Sequence, residues 1–122
     1  MKTLAIFTLT AITLSVTGCA VRSAEMYRDD TRKVLATKKT AISECYERAL
    51  QKDREARGKV VVRFKVQADS GKITDAKVDK DRTDAPKALG KCVVEAIEGL
   101  AIDPGDEREG DATFTWTFEP KS

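Results

Sequence analysis

The sequence predicts an α+β fold, a two-layer sandwich in which two helices cover one face of a three-stranded antiparallel sheet. Three stretches of the 122-residue chain alternate apolar and polar side chains, which is the period of a half-buried β-strand. Two other stretches repeat apolar residues every three or four positions, as an amphipathic helix does. The order along the chain is α-β-β-α-β. Since every element has a single apolar face, strands and helices bury those faces against each other in two layers.

Residues 1–18 are predicted to be a cleaved signal peptide. Their apolar stretch, Leu4–Val16, is shorter than the about 20 residues that a membrane-spanning helix needs. The letters VTGC that close it resemble the lipobox of bacterial lipoproteins. That resemblance implies cleavage before Cys19 and attachment of acyl chains such as palmitate to this cysteine, and Ala20 after it favours the outer membrane. The alternative is an ordinary secretory signal in which Cys19 has no role.

Residues 19–40 are predicted to be a charged tether that is helical for part of its length. The stretch after Cys19 contains no Gly or Pro and only a weak apolar stripe. If helical, it would hold the following domain roughly 30 Å from the membrane, at about 1.5 Å per residue. Its mixed charges favour a solvated face over a binding site.

Residues 41–120 are predicted to form the folded domain, which begins with a helix. The apolar stripe of this helix consists of Ile42, Cys45, Tyr46, Ala49 and Leu50. Thr40 is the predicted N-cap, and the polar run Gln51–Arg57 ends the helix before Gly58.

The segment Gly58–Lys80 is predicted to be a β-hairpin around which the domain is organised. Its first strand, Val60–Ala68, has apolar residues at every second position. Gly71 lies in the connecting loop, where it is free to take a positive φ angle. The second strand starts at Ile73, which is out of phase with the apolar residues that follow. This change of phase predicts a bulge near Thr74–Asp75.

A second helix is predicted after the hairpin, capped by Thr83 or Asp84 and with Pro86 in its first turn. Its apolar stripe is nearly unbroken and consists of Leu89, Cys92, Val93, Ala96, Ile97 and Leu100. Gly90 weakens this helix by up to about 1 kcal/mol unless it allows a close approach. The acidic loop Ile102–Gly110 is predicted to be solvated, because its carboxylates lack the spacing of an EF-hand.

The last strand is predicted over Ala112–Glu119. One of its faces is apolar, and the opposite face is rich in threonine, which suits an exposed sheet surface. A right-handed crossover through the second helix places this strand beside the first. The first strand is therefore expected in the centre of the sheet, with the second and third strands at its edges.

Cys45 and Cys92 are predicted to form a disulfide. Each lies on the apolar stripe of its own helix, and the chain is predicted to be exported. Redox catalysis and metal binding are the alternatives, but the chain has no CxxC motif and no His. We expect neither a metal nor another cofactor.

The chain resembles the TonB C-terminal-like domains in five places: AISECYERAL, GKVVVRFKVQADSGKITDAKV, LGKCVVEAI, IDPG and TFTWTF. The resemblance covers Ala41–Glu119 and is closest to the cysteine-paired variety at the end of gliding-motility proteins of the AgmX/PglI type. It implies that the last strand captures an extended peptide, through Thr113, Thr115, Trp116 and Thr117. Energy transducers of that family have a long Pro-rich stalk, whereas this chain has three prolines in all, so energy transduction is not expected.

Together these features favour a binding module of the cell envelope, anchored by lipid on Cys19 and facing the periplasm. The expected partner is an envelope protein or an extended peptide. The alternative is a structural or assembly factor of an envelope complex, and a homodimer is also open. The edge of the last strand is either free for a peptide or covered by the tether helix or by a second copy.

Two other classes of function are disfavoured by composition. An enzyme is not expected, because the chain has no His and neither Ser43 nor Ser70 has a base beside it in a recognisable motif. The formal net charge of +2 argues against nucleic-acid binding.

Overall fold

The computed structural model describes residues 23–103 and 105–120. Its elements are, in chain order, α1 (Ala24–Ala36), α2 (Lys39–Lys52), β1 (Gly58–Val66), β2 (Ile73–Val78), α3 (Lys87–Ile97) and β3 (Gly110–Phe118). The sheet is three-stranded and antiparallel, which confirms the predicted α+β class, and α1 lies in the tether predicted to be helical for part of its length. The predicted signal peptide, residues 1–18, and Cys19 lie outside the described residues.

Strand β1 lies in the centre of the sheet, whose strand order is β2-β1-β3, as predicted. It pairs with β3 along its whole length, from Gly58 opposite Phe118 to Val66 opposite Gly110. Both strands begin two residues before their predicted starts. The inward side chains of β1 are almost completely buried and comprise Val60, Val62, Phe64 and Val66.

The hairpin turn and the bulge in β2 both depend on left-handed backbone conformations. Asp69 and Gly71 have φ angles of +66° and +69°. A side chain on Gly71 would overlap the carbonyl oxygen of Ile102, so glycine is required there. Near the middle of β2 one extra residue shifts the register with β1, and Asp75 at this point has a φ of +54°. The predicted glycine turn and the predicted bulge are confirmed.

Helix α3 packs directly on the sheet through Leu89, Val93 and Ile97, each at most 1% exposed. Gly90 faces β2, and a Cβ atom at this position would lie 3.1 Å from Cγ2 of Val78. The close approach of helix and strand explains a glycine where alanine would favour the helix more strongly.

Thr83 and Asp84 bind β1, so the prediction that they cap the second helix is wrong. The Oγ1 atom of Thr83 accepts a hydrogen bond from the N–H of Val61 at 2.9 Å. The Oδ1 atom of Asp84 accepts one from the N–H of Lys59 at 2.6 Å. Strand β2 has already ended here, so side chains of the loop satisfy the donors that a longer strand would have paired. Pro86 is the N-cap of α3.

Helix α1 lies within the predicted tether over residues 19–40, and it packs with the domain. Thr31 and Leu35 are only 1% and 5% exposed, and Leu35 belongs to the main core. A sequence pattern counts threonine as a polar residue, which is expected to be exposed. The hydroxyl of Thr31 can be buried because it donates a hydrogen bond to the carbonyl of Tyr27 at 2.7 Å. Helix α1 thus packs against the domain predicted over residues 41–120.

Helix α2 follows α1 after a two-residue break. The hydroxyl of Thr37 donates to the carbonyl of Val34 at 2.6 Å, at the end of α1. Helix α2 then starts at Lys39, with Lys38 as an N-cap whose side chain makes no capping hydrogen bond. The predicted N-cap at Thr40 is therefore wrong, because the helix has already begun before it.

A disulfide joins Cys45 of α2 to Cys92 of α3, as predicted. The two Cα atoms are 5.8 Å apart, a usual separation for a disulfide, and the residues lie 47 positions apart in the chain. The Nη2 atom of Arg48 lies 2.9 Å from Sγ of Cys92. The disulfide therefore joins α2 to α3, the two helices that cover the sheet.

Asp106 departs from the expectation of a fully solvated acidic loop, since it is 2% exposed. Its carbonyl accepts a hydrogen bond from the N–H of Asp69 at 2.7 Å, and its carboxylate accepts one from the N–H of Arg108 at 3.2 Å. These bonds hold this part of the loop against the turn between β1 and β2.

Candidate functional site

Strand β3 is an edge strand, since within residues 23–103 and 105–120 no strand pairs with its outer side. The backbone groups that point outward can be assigned from β1. The N–H of Val61 donates to Thr83, and its carbonyl accepts from the N–H of Asp79 at 2.7 Å, both on the side of β2. Successive residues of a strand alternate in direction, so the backbone groups of Val60 and Val62 face β3.

The register between β1 and β3 carries this assignment across the sheet. Val60 is opposite Trp116, and Val62 is opposite Phe114, so these two β3 residues pair their backbone groups with β1. The amides and carbonyls of the alternate residues point away from the sheet, and those residues include Thr113, Thr115 and Thr117. Three of the four predicted partner-binding residues therefore present their backbone at the open edge, and Trp116 does not.

The side chains of β3 alternate as predicted. Thr113, Thr115 and Thr117 are exposed on the outer face of the sheet, whereas Phe114 and Trp116 are half-buried on the inner face. The ring of Phe114 stacks on Phe64 with 6.0 Å between ring centroids. The inner face of this strand is thus apolar up to the edge of the sheet.

Two hollows lie beside the open edge. One, of about 460 Å³, separates α1 from the first half of β3, and Tyr27 and Thr31 of the helix line it. The other, of about 590 Å³, lies between α2 and the end of β3, where Leu50 and Pro120 form part of its wall. A segment added along β3 would direct every second side chain towards the layer that contains these hollows.

Tyr46 is one of the residues that line the second hollow, and two contacts hold it in place. Its hydroxyl donates to the carbonyl of Ala56 at 2.7 Å, and its ring lies 5.1 Å from that of Phe118. Burial raises the pKa of Tyr46, and the charge of Glu119 raises it further, while Arg57 lowers it. The hydroxyl therefore remains a neutral donor at physiological pH.

The architecture resembles a solved TonB C-terminal domain, from Helicobacter pylori. The TM-score is 0.54, the sequences are 27% identical, and the match covers 74% of this chain and 83% of the other. The chain has a TonB C-terminal-like fold. No family model matches the sequence, and no curated protein matches it. The finer assignment to the AgmX/PglI type stays a prediction.

Charged residues stand at both ends of the open edge of this TonB-like sheet. Asp111 is at the start, where its Oδ1 lies 3.4 Å from Nζ of Lys65, and Glu109 lies 3.8 Å from the same nitrogen. The hydrogen bond to Asp111 is the main reason why the pKa of Lys65 is raised. Glu119 follows the end of the strand, and no residue between the two acids is charged. Charges that protect edge strands are thus confined to the ends.

Helix α1 approaches only the beginning of this edge. A Cβ atom on Gly110 would lie 2.8 Å from the hydroxyl oxygen of Tyr27, so the two elements are in close contact there. Thr115 and Thr117 lie beyond the hollow that α1 lines. Among the described residues, α1 therefore contacts the start of β3 and does not reach its second half.

Within residues 23–103 and 105–120, no group of three or more His, Cys, Asp or Glu side chains is placed to hold a metal ion. Across the same residues, no helix combines the length and the apolar character needed to cross a membrane. The hydroxyl of Ser70, one of two serines considered as nucleophiles, bonds to Gln67 within the hairpin turn.

Sequence reasoning missed the part of α1 that lines the first hollow. Tyr27, Thr31, Val34 and Leu35 follow helical spacing, and this signal was present in the sequence. It becomes an apolar stripe only if Thr31 is counted as a buried residue. The hollow itself forms where Tyr27 and Gly110 come into contact, and these residues lie far apart in the chain, so a local sequence pattern does not reveal it.

Proposed function

We propose that this protein is a lipid-anchored periplasmic adaptor that docks an extended segment of an envelope protein by strand addition to β3. The single observation that carries the proposal is the open edge, where the backbone groups of Thr113, Thr115 and Thr117 point outward. The TonB-like fold supports a protein-binding role in the cell envelope, and the VTGC letters before residue 20 support the anchor.

The added segment would form the fourth strand of the sheet. Its main chain would exchange hydrogen bonds with the three threonines, and this pairing gives affinity with little demand on sequence. Its alternate side chains would enter the hollows next to Tyr27 and Tyr46, whose walls combine aromatic rings with charged side chains. The threonine side chains on the opposite face would remain in contact with water.

A pair of proline substitutions tests the strand addition. In Thr115→Pro the lost N–H is an outward one, so the sheet should stay intact while the pairing with a docked segment is blocked. In Trp116→Pro the lost N–H is paired with β1, so this variant should be destabilised. We expect the full-length Thr115→Pro protein to lose capture of its partner from detergent-solubilised envelopes by at least about tenfold.

A second substitution tests the same edge without the use of proline. Thr115→Lys adds a charge to the uncharged middle of the edge and leaves its amide in place, and edge charges oppose strand pairing. Circular dichroism must first show that each variant is folded. Capture that persists in both folded Thr115 variants would place the binding surface away from β3.

A further inference from the structure

A second groove lies on the opposite side of the molecule, between α3 and the outer edge of β2. It has a volume of about 1030 Å³, larger than either hollow beside β3. Its floor is built from small or branched apolar residues that are buried or half-buried: Ala76, Val78, Ala85, Gly90 and Val94. Because most of these side chains are short, the floor is recessed and leaves room for larger side chains of a ligand.

The rim of this groove has a strong excess of positive charge. Four exposed lysines line it, Lys77, Lys80, Lys87 and Lys91, against the single carboxylate of Glu95. Among the described residues none of these four ammonium groups takes part in an ion pair, in contrast to Lys65 beside β3. The whole chain has a net charge of only +2, so the excess is a property of this surface.

The edge of β2 is too irregular for the strand addition proposed for β3. Its first part is covered, because the N–H of Ile73 donates to the carbonyl of Leu100 at 2.7 Å and Lys72 bridges to Ala101. The bulge at Asp75 then interrupts the strand. Only the last residues of β2 are left at the open edge, so recognition here must come from apolar burial and charge.

We propose that this groove docks an acidic, amphipathic segment of a second protein. The apolar side chains of that segment would pack on the floor of alanines and valines, and its carboxylates would meet the four lysines. Buried apolar area supplies about 25 cal/mol per Å², and charge complementarity supplies orientation and rate of association.

A recessed floor fits a protein segment better than an anionic membrane. Peripheral membrane binding uses large apolar side chains that protrude into the bilayer interface. The residues of this floor do not protrude, and the one large hydrophobic residue that is well exposed among those described, Met26, lies on α1. Residues 1–22 of this chain do not match the proposed acidic segment either, because they contain no Asp or Glu.

The test uses the full chain in its native cell, with Ala88 replaced by the photo-crosslinking residue benzoylphenylalanine. Ala88 lines the groove but is exposed, unlike the residues of its floor, so the probe replaces no buried side chain. We expect a protein adduct, and mass spectrometry should place the cross-link in a segment rich in Asp or Glu interspersed with apolar residues. A synthetic peptide of that segment should bind the purified protein.

The lysines provide the decisive variant. Lys87→Glu combined with Lys91→Glu should reduce both the adduct and the peptide affinity by at least about tenfold. The matched control is Lys39→Glu with Lys52→Glu, which changes the net charge equally on exposed positions of α2 that do not line the groove. Peptide binding should also weaken as salt is raised from about 0.05 to about 0.5 M, because the lysines are exposed and screened.

Several results would overturn the proposal. They are the absence of any protein adduct, an adduct with lipid, an adduct with a second copy of this chain, and an adduct that the lysine reversal leaves unchanged. Thr115→Pro should leave the adduct intact, so a failure of this groove and a failure of the β3 edge are separately visible.

Discussion

At the scale of single residues, Tyr46 joins three parts of the domain. Its hydroxyl holds the segment after α2 through the carbonyl of Ala56, and its ring contacts Phe118 at the end of β3. Ala56 is buried, so removal of this donor leaves its carbonyl without that partner. An unmade hydrogen bond of this kind costs about 1–3 kcal/mol.

Tyr46→Phe should therefore destabilise the protein by about 1 kcal/mol near pH 7, while it keeps the ring contact with Phe118. Burial raises the pKa of Tyr46 above its ordinary value of 10.0, so the folded protein keeps the phenol proton after the unfolded chain has released it. This contribution to stability is complete below about pH 10 and is lost as the pH rises through the folded pKa.

Urea titrations of both proteins between about pH 8 and pH 11 measure this difference. The gap in unfolding free energy should narrow towards the alkaline end. A gap that stays constant would mean that the Tyr46 phenol titrates alike in the folded and unfolded states.

At the scale of elements, the strands follow from the sequence more completely than the helices. Period-two alternation predicts all three strands, and the phase change after Ile73 predicts the bulge at Asp75. The alternation and the change of phase are both visible in the sequence because each strand has one face against the core. The packing of α1 does not follow, since the burial of Thr31 depends on a hydrogen bond within the helix that no polarity scale contains.

The two candidate surfaces also differ in how much of each can be predicted from the sequence. The uncharged run of β3 is a local feature, and Thr113, Thr115 and Thr117 could be named from it. Which backbone groups point outward depends on the neighbours of β1, and a sequence pattern does not contain them. The lysine groove could not be predicted, because α3, β2 and the loop between them each contribute lysines that become adjacent only in the folded chain.

The packing of α1 makes a quantitative prediction about stability. Leu35 is 5% exposed and belongs to the main core, so Leu35→Ala should cost about 2–4 kcal/mol. Met26 lies on the same helix and is 56% exposed, so Met26→Ala should change stability by less than about 0.5 kcal/mol. Chemical denaturation of the two variants measures both values. Equal, small effects would show that α1 is a tether with no part in the core.

At the scale of the whole molecule, the two proposed surfaces lie at opposite edges of one small sheet. The strand order β2-β1-β3 places the lysine groove and the β3 edge on either side of β1. A segment on one edge does not occupy the other, so the geometry allows both partners to be bound together. An adaptor of this kind would connect an extended segment on one side with an acidic segment on the other.

The position of α1 also determines how far the domain can lie from a membrane. The described chain begins at Ser23, the N-cap of α1, and only three residues separate it from Cys19. Four Cα–Cα steps span at most about 14 Å even when fully extended. If Cys19 carries the lipid, the domain is held close to the bilayer surface, instead of the roughly 30 Å that a free helical tether would give.

The short distance expected between α1 and the bilayer surface can be measured. Mass spectrometry of the membrane fraction should first show an acylated amino terminus at Cys19. A fluorophore on Met26→Cys, an exposed position near the start of α1, should then show strong energy transfer to acceptor-labelled headgroups in reconstituted vesicles. A flexible insert of about 20 Gly and Ser residues after Ala20 adds a root-mean-square reach of about 25 Å, so transfer should fall in that variant. Equal transfer with and without the insert would show that α1 and the residues before it do not set the distance, and an unmodified amino terminus would remove the anchor altogether.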